Sequence, residues 1–131
     1  MTKLPKYLRA AVQSVREHEY EEHLEYNLSA IIVIGGQIVS IGHNSSKANS
    51  FIRAFSNKEY GGMHAECDAI LSARKKIDLT GSKMYVARLT KKLGQVAVAK
   101  PCDMCLGAAL RYGIKRICYT IDDMSWGTIR L

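Results

Sequence analysis

The chain has 131 residues, 47% of them hydrophobic, and a formal net charge of +7. A chain of this length buries about two-thirds of its unfolded surface as one unit, so a single domain over residues 1–131 is expected. No apolar run approaches the roughly 20 residues of a membrane span, and the charged first twenty residues do not read as a secretory signal, which predicts a soluble, cytoplasmic protein.

Leu4, Leu8, Ala11, Val12 and Val15 recur at helical spacing, with Pro5 acceptable in a first turn, and predict an amphipathic helix. The connection "REHEYEEHLEY" that follows holds five of the twelve acids. In "SAIIVIGGQIVSIGHN" two β-branched runs flank Gly35 and Gly36, which reads as a hairpin whose first strand is apolar on both faces and therefore buried. "SSKANSFIRAFSNKEYGG" reads as a long loop. "MHAECDAILSARKKI" resumes helical spacing, with Gly81 as the stop. "KMYVARL" is a strand, "TKKLGQVAVAK" a basic excursion, "PCDMCLGAALRYG" a helix bracketed by Pro101 and Gly113, and "IKRICYTI" a strand. "DDMSWGTIRL" can turn back as a short terminal strand. Strands joined through helices imply parallel neighbours, so the order predicts an α/β sandwich of two or three layers.

Charge is unevenly placed. From Arg74 to Arg116 there are eleven Lys and Arg against two Asp. A basic half attracts phosphate, on a nucleotide or a nucleic acid, although a solvated basic face has the same composition. Four cysteines without a leader argue for metal or catalytic use rather than a disulfide framework. Cys67 and Cys118 sit in apolar segments, where a buried small hydrophobe is the simpler role.

Cys102 and Cys105 share one face of a helix start, whose dipole favours thiolates. A redox dithiol would use the same chemistry, but that motif normally follows the first strand of its fold, and this one comes late. Zinc with three protein ligands keeps a fourth position for water, and His64, Cys102 and Cys105 would make that set, with Glu66 as a nearby base. A closed structural site of His64, Cys67, Cys102 and Cys105 is the rival. Helical geometry favours the rival, because His64 and Glu66 lie roughly 200° apart on a regular helix. Glu66 reaches the site only if His64 sits in a frayed first turn, which Gly61 and Gly62 permit.

H-x-E followed by P-C-x-x-C is the signature of zinc-dependent nucleobase deaminases. "GHN", "HAECDAIL" and "PCDMCLGAALRYGIKRICY" resemble the cytidine and deoxycytidylate deaminase superfamily, particularly its small viral and bacterial members, from about Ser29 to Thr120. The resemblance implies an α/β/α sandwich with a central mixed β-sheet, zinc held between two helix starts, and a core-facing Cys67. It assigns His64, Cys102 and Cys105 to zinc and Glu66 to proton transfer. Asn44 matches a position that contacts sugar and base, and the backbone N–H groups of Ala65 and Cys102 face the reacting end of the base. Read from the residues alone, Asn44 is equally a turn residue. The implied reaction is hydrolytic: water attacks C4 of cytosine, Glu66 moves the protons, and ammonia leaves.

The substrate is less sharply drawn. The segment before His64 lacks the "GYNG-x-P" pattern of typical deoxycytidylate deaminases, and Asp68 stands where Asn often follows the HAE triplet. "PCDMCLGAA" and "GHN" also resemble tRNA adenosine deaminases. A free cytosine nucleoside or nucleotide is the first reading, with Lys91, Lys92 or Lys100 available for a monophosphate. A base in single-stranded DNA or RNA is the second, with Phe51, Phe55 and Tyr60 interleaved with Arg53 and Lys58 for stacking. A non-enzymatic zinc module is the third, and the presence of Glu66 argues against it. The resemblance also implies a homo-oligomer.

Overall fold

The computed structural model describes residues 3–47 and 62–131. Phe51, Arg53, Phe55, Lys58 and Tyr60, the residues considered for base stacking, lie outside the described residues.

The first helix, α1 (Lys6–Glu17), forms on the predicted stripe, and Leu4, Leu8, Ala11, Val12 and Val15 are all buried. β1 (Asn27–Ile34) and β2 (Gln37–His43) make the expected hairpin. Both turn glycines have positive φ, 57° at Gly35 and 77° at Gly36, which suits a two-residue hairpin turn and which β-branched residues do not tolerate. Next come α2 (Ala65–Ala73), β3 (Lys83–Leu89), β4 (Val96–Ala97), α3 (Asp103–Arg111), β5 (Arg116–Thr120) and β6 (Trp126–Arg130). "DDMSWGTIRL" does turn back, and β6 runs antiparallel to β5.

The strands form one mixed sheet in the order β2-β1-β3-β5-β6, with β4 pairing on β3. Side chains alternate across it. Ile31, Val33, Tyr85, Ala87 and Cys118 pack under α1, while Ala30, Ile32, Met84, Val86 and Ile117 pack under α2 and α3. This is the α/β/α sandwich, and it explains why β1 and β3 are apolar on both faces.

Three expectations need correction. Parallel neighbours occur only at β3–β5, because β1 inserts between β2 and β3 and pairs antiparallel with both. Gly81 does not end α2, which stops eight residues earlier at Ala73; with φ of 80° it turns the chain into β3. The basic excursion contains β4, which pairs Arg88 with Ala97 and Leu89 with Val96 beyond the part of β3 that pairs with β5. Thr120, fully buried, donates its hydroxyl to the Ala97 carbonyl and accepts the Ala99 N–H at its own carbonyl. The approach to Pro101 is thereby tied to the sheet end.

The "GHN" segment locks α2 onto β2. Gly42 lies against the helix backbone so closely that an added Cβ would stand 2.3 Å from both the Ala65 carbonyl oxygen and the Ala69 nitrogen. Ser40 donates its hydroxyl to the Ala69 carbonyl, and the His43 backbone N–H donates to the Asp68 carboxylate. The His43 ring stacks on His18 with centroids 3.7 Å apart, meets Tyr20 edge-on, and bonds Ser14 Oγ through Nε2.

Burial first, and His18 second, hold the His43 imidazole below its ordinary range against the opposing pull of Asp68 and Ser14. The unfolded chain therefore takes up this proton first as pH falls through about 6.5, and stability drops from there toward the lower folded value. Melting temperature is expected to fall more between pH 7 and pH 5 for the parent than for His43→Gln; equal falls would remove His43 from the acid response. Among the described residues, no helix is long and apolar enough to cross a membrane.

Candidate metal centre and cleft

The chain leaving β2 and the chain entering α2 pair at one antiparallel bridge, Ser45 with Met63, through two backbone hydrogen bonds of 2.9 and 3.1 Å. That bridge sets Asn44 beside His64. His64 itself is extended, with φ of −83° and ψ of 147°, and immediately precedes α2. The angular separation of a regular helix therefore does not apply between His64 and Glu66. Cys102 is likewise extended and precedes α3, whose first turn carries Cys105. Two helix starts converge here, and their unpaired N–H groups and dipoles favour negative charge.

Nδ1 of His64 lies 3.7 Å from the Cys102 sulfur and 3.4 Å from the Cys105 sulfur, and all three donor atoms lie within 4.8 Å of one another. A tetrahedral zinc with bonds of about 2.3 Å to sulfur and about 2.0–2.1 Å to nitrogen separates S from N by about 3.6 Å. The donor set fits one such ion. The protonation chemistry agrees: the Cys102 thiol is lowered to about 4, first by the Cys105 S–H. Hydrogen bonding to Cys102 raises His64, and the bonds to Cys102 and then Cys67 push Cys105 upward. Two thiolates at this spacing are stable together only with a cation between them.

Cys67 is fully buried in the core and is not part of the donor group. The closed four-ligand arrangement considered from the sequence is therefore not what the fold assembles among the described residues. Cys118 is also buried, as expected.

Glu66, only 5% exposed, lines a cleft of about 360 Å³ together with His64, Ala65, Cys102 and Asn44. Burial raises its carboxyl above the usual range, opposed by its own backbone N–H and by His64. Ala65 opens α2, so its N–H has no partner within the helix. Asn44 is more committed than its motif suggested. Its Oδ1 accepts the Leu28 N–H at 2.8 Å and its Nδ2 donates to the Tyr26 carbonyl at 2.6 Å, leaving one N–H and one lone pair for anything in the cleft.

Of the lysines considered for a phosphate, Lys91 is taken, because its ammonium donates to the carbonyls of Glu22 and Leu24. Lys92 is exposed, and Lys100 is exposed at the cleft. Sequence reading missed Arg88, which also lines the cleft with its guanidinium over the Tyr26 ring, 4.3 Å from the centroid. A signal was present. Met84 and Val86 predict an apolar side chain at the next position of the row, and a cation stands there instead.

Comparison with known proteins agrees with this geometry. The chain is 24% identical over 127 residues to a tRNA-specific adenosine deaminase of Bacillus subtilis, covering 97% of this chain and 67% of that protein. Over 98 residues, 72% of this chain, it is 31% identical to a tRNA(Ile)-lysidine synthase of Deinococcus deserti, of whose length it spans 15%. A cytidine deaminase from Burkholderia pseudomallei has the same fold, with a TM-score of 0.67, 19% identity, and coverage of 97% of this chain and 93% of that one. A dCMP deaminase from the cyanophage S-TIM5, solved with dCMP and dUMP, superposes with a TM-score of 0.58 at 18% identity, covering 86% and 76% of the two chains. The family profile described as the cytidine and deoxycytidylate deaminase zinc-binding region matches residues 1–121, and the chain belongs to that family.

Proposed function

We propose that the protein is a hydrolytic deaminase converting cytosine to uracil in a free pyrimidine nucleoside or nucleotide, with His64, Cys102 and Cys105 as zinc ligands and Glu66 as the proton carrier. The observation that carries this reading is the buried Glu66 carboxyl, which lines the cleft beside three donors spaced for one tetrahedral ion. Zinc held there acts as a Lewis acid and lowers the pKa of a water ligand toward about 7.

Glu66 stays outside the donor group, so its carboxylate keeps its basicity. It takes one proton from the water that attacks C4 and gives it to the ring nitrogen, then takes the second from the hydroxyl now on C4 and gives it to the departing amine. Ammonia leaves and uracil remains. The backbone N–H groups of Ala65 and Cys102, at the two helix starts, orient the reacting end of the base. The cleft volume sits at the low end of the roughly 300–1,000 Å³ of small-molecule sites, which suits one nucleotide.

The test is direct. Purified zinc-loaded protein is incubated with cytidine, deoxycytidine, CMP, dCMP, a cytosine-containing single strand and an adenosine-containing RNA stem-loop. Uracil from the free compounds is the expected product. Deamination confined to the oligonucleotides would favour a second reading, a nucleic-acid deaminase, which the likeness to the Bacillus subtilis enzyme supports.

Zinc content discriminates the ligand sets. Cys102→Ala is expected to lose nearly all of the about one zinc per chain, whereas Cys67→Ala keeps it and loses only core packing. Elemental analysis reads the result, and loss of zinc in Cys67→Ala would reinstate the closed site.

A further inference from the structure

Among the described residues, Arg88 is a cation in the cleft without an ion-pair partner. Along β3 it follows Met84 and Val86 on the face that packs under α2 and α3, so strand alternation delivers its side chain to the side that holds His64 and Cys102. Its Nε is shielded from solvent and has no hydrogen-bond partner, and its side chain makes no ion pair among the described residues. Glu25, a carboxylate that also lines the cleft, stays exposed and does not pair with it. A partly buried guanidinium in this state pays a desolvation cost that a ligand can relieve.

Its position is nonetheless held. The Tyr26 ring carries the guanidinium at 4.3 Å, an interaction that fixes the plane while leaving the in-plane N–H donors free. Tyr26 is held in turn by Asn44, whose amide donates to the Tyr26 carbonyl. Among the described residues, Lys100 is the other long cationic side chain of the cleft. Together they present a planar fork and a point charge, a pairing that matches a dianionic phosphate.

We propose that Arg88, seated on Tyr26, is the anion-recognition residue of this site, and that with Lys100 it selects a substrate bearing a terminal phosphate monoester, a pyrimidine nucleoside 5′-monophosphate. This rests on the deaminase reading above. A monoester is favoured over a polynucleotide backbone because, among the described residues, the cleft offers two such cations, while Lys91 is consumed by carbonyls of the chain itself. Asn44 becomes a positioning residue for the Tyr26–Arg88 pair.

The experiment measures kcat/KM for dCMP and deoxycytidine in the parent, Arg88→Gln, Arg88→Lys and Lys100→Gln, with zinc content and melting temperature checked for each. The ratio of monophosphate to nucleoside is expected to fall at least about tenfold in Arg88→Gln, the scale of one charge-assisted bond, and to be partly restored in Arg88→Lys. Equal losses on both substrates, or a dependence on Arg88 seen only with a cytosine-containing oligonucleotide, would overturn the proposal.

A binding arm keeps this separate from the question of turnover. Glu66→Gln protein, with and without Arg88→Gln, is titrated with dCMP and deoxycytidine, and inorganic phosphate is used as competitor. Should the parent deaminate no cytosine compound, Arg88-dependent preference for dCMP, with competition by phosphate, would retain the subsite while the reaction is reassigned. Absence of that preference would end the proposal.

Discussion

Glu66→Gln is expected to leave a folded, zinc-binding protein that turns over substrate at least about a hundredfold more slowly, the scale of a lost general acid and base. The exchange keeps the side chain's size and its place in the first turn of α2, where the carboxyl is almost wholly buried. An amide can still accept a hydrogen bond from the backbone, but it cannot carry the water's two protons, one to the ring nitrogen and the other to the amine. Burying a neutral amide also costs less than burying a charge, so melting temperature should hold or rise. Single-turnover kinetics with elemental analysis of the same preparation reads both halves. Comparable rates in variant and parent would move proton transfer to another group.

Gly42→Ala is expected to be the most damaging single-methyl change in the described chain. Its Cβ would stand 2.3 Å from the Ala65 oxygen and the Ala69 nitrogen, both backbone atoms of α2, so no side-chain rotation relieves the clash. Overpacking of this kind typically costs about 1–3 kcal/mol, and the rigid neighbours put this site at the upper end or beyond. The helix that must move begins beside His64 and carries Glu66, and a misplacement of about 1 Å at reacting groups can cost a hundredfold in rate. Activity per folded molecule should therefore fall as well as stability. Gly107→Ala, in the middle of α3 with nothing within 4 Å of the added carbon, is the control and should stabilise by about 0.5–1 kcal/mol. Denaturant unfolding of the two variants decides the matter: a Gly42→Ala protein as stable as the parent would refute the close backbone contact.

Local pattern determined much of this molecule. The stripe from Leu4 to Val15, the double glycine of the hairpin, the alternation of "KMYVARL" and the Pro101–Gly113 bracket each specify an element through interactions only a few residues apart, and each element is found there. His64, Cys102 and Cys105 were legible for a related reason, since soft-metal donors at two helix starts have few other uses. Tertiary structure alone decided what depends on long-range pairing. Nothing near β2 says that β1 will lie between it and β3, because that order is set by which strands can be covered on both faces. Gly42 reads as an ordinary strand glycine until α2 lies on it, Lys91 as a free cation until the carbonyls of Glu22 and Leu24 reach it, and the Asn44 amide as uncommitted until Tyr26 and Leu28 take one donor and one acceptor position of it. Arg88 is the converse case, a residue of unremarkable appearance in a strand until the fold sets it, without an ion pair among the described residues, in a cleft with Glu66, His64 and Cys102. Short-range geometry lies in the order of the residues, whereas burial and charge pairing belong to the packed whole.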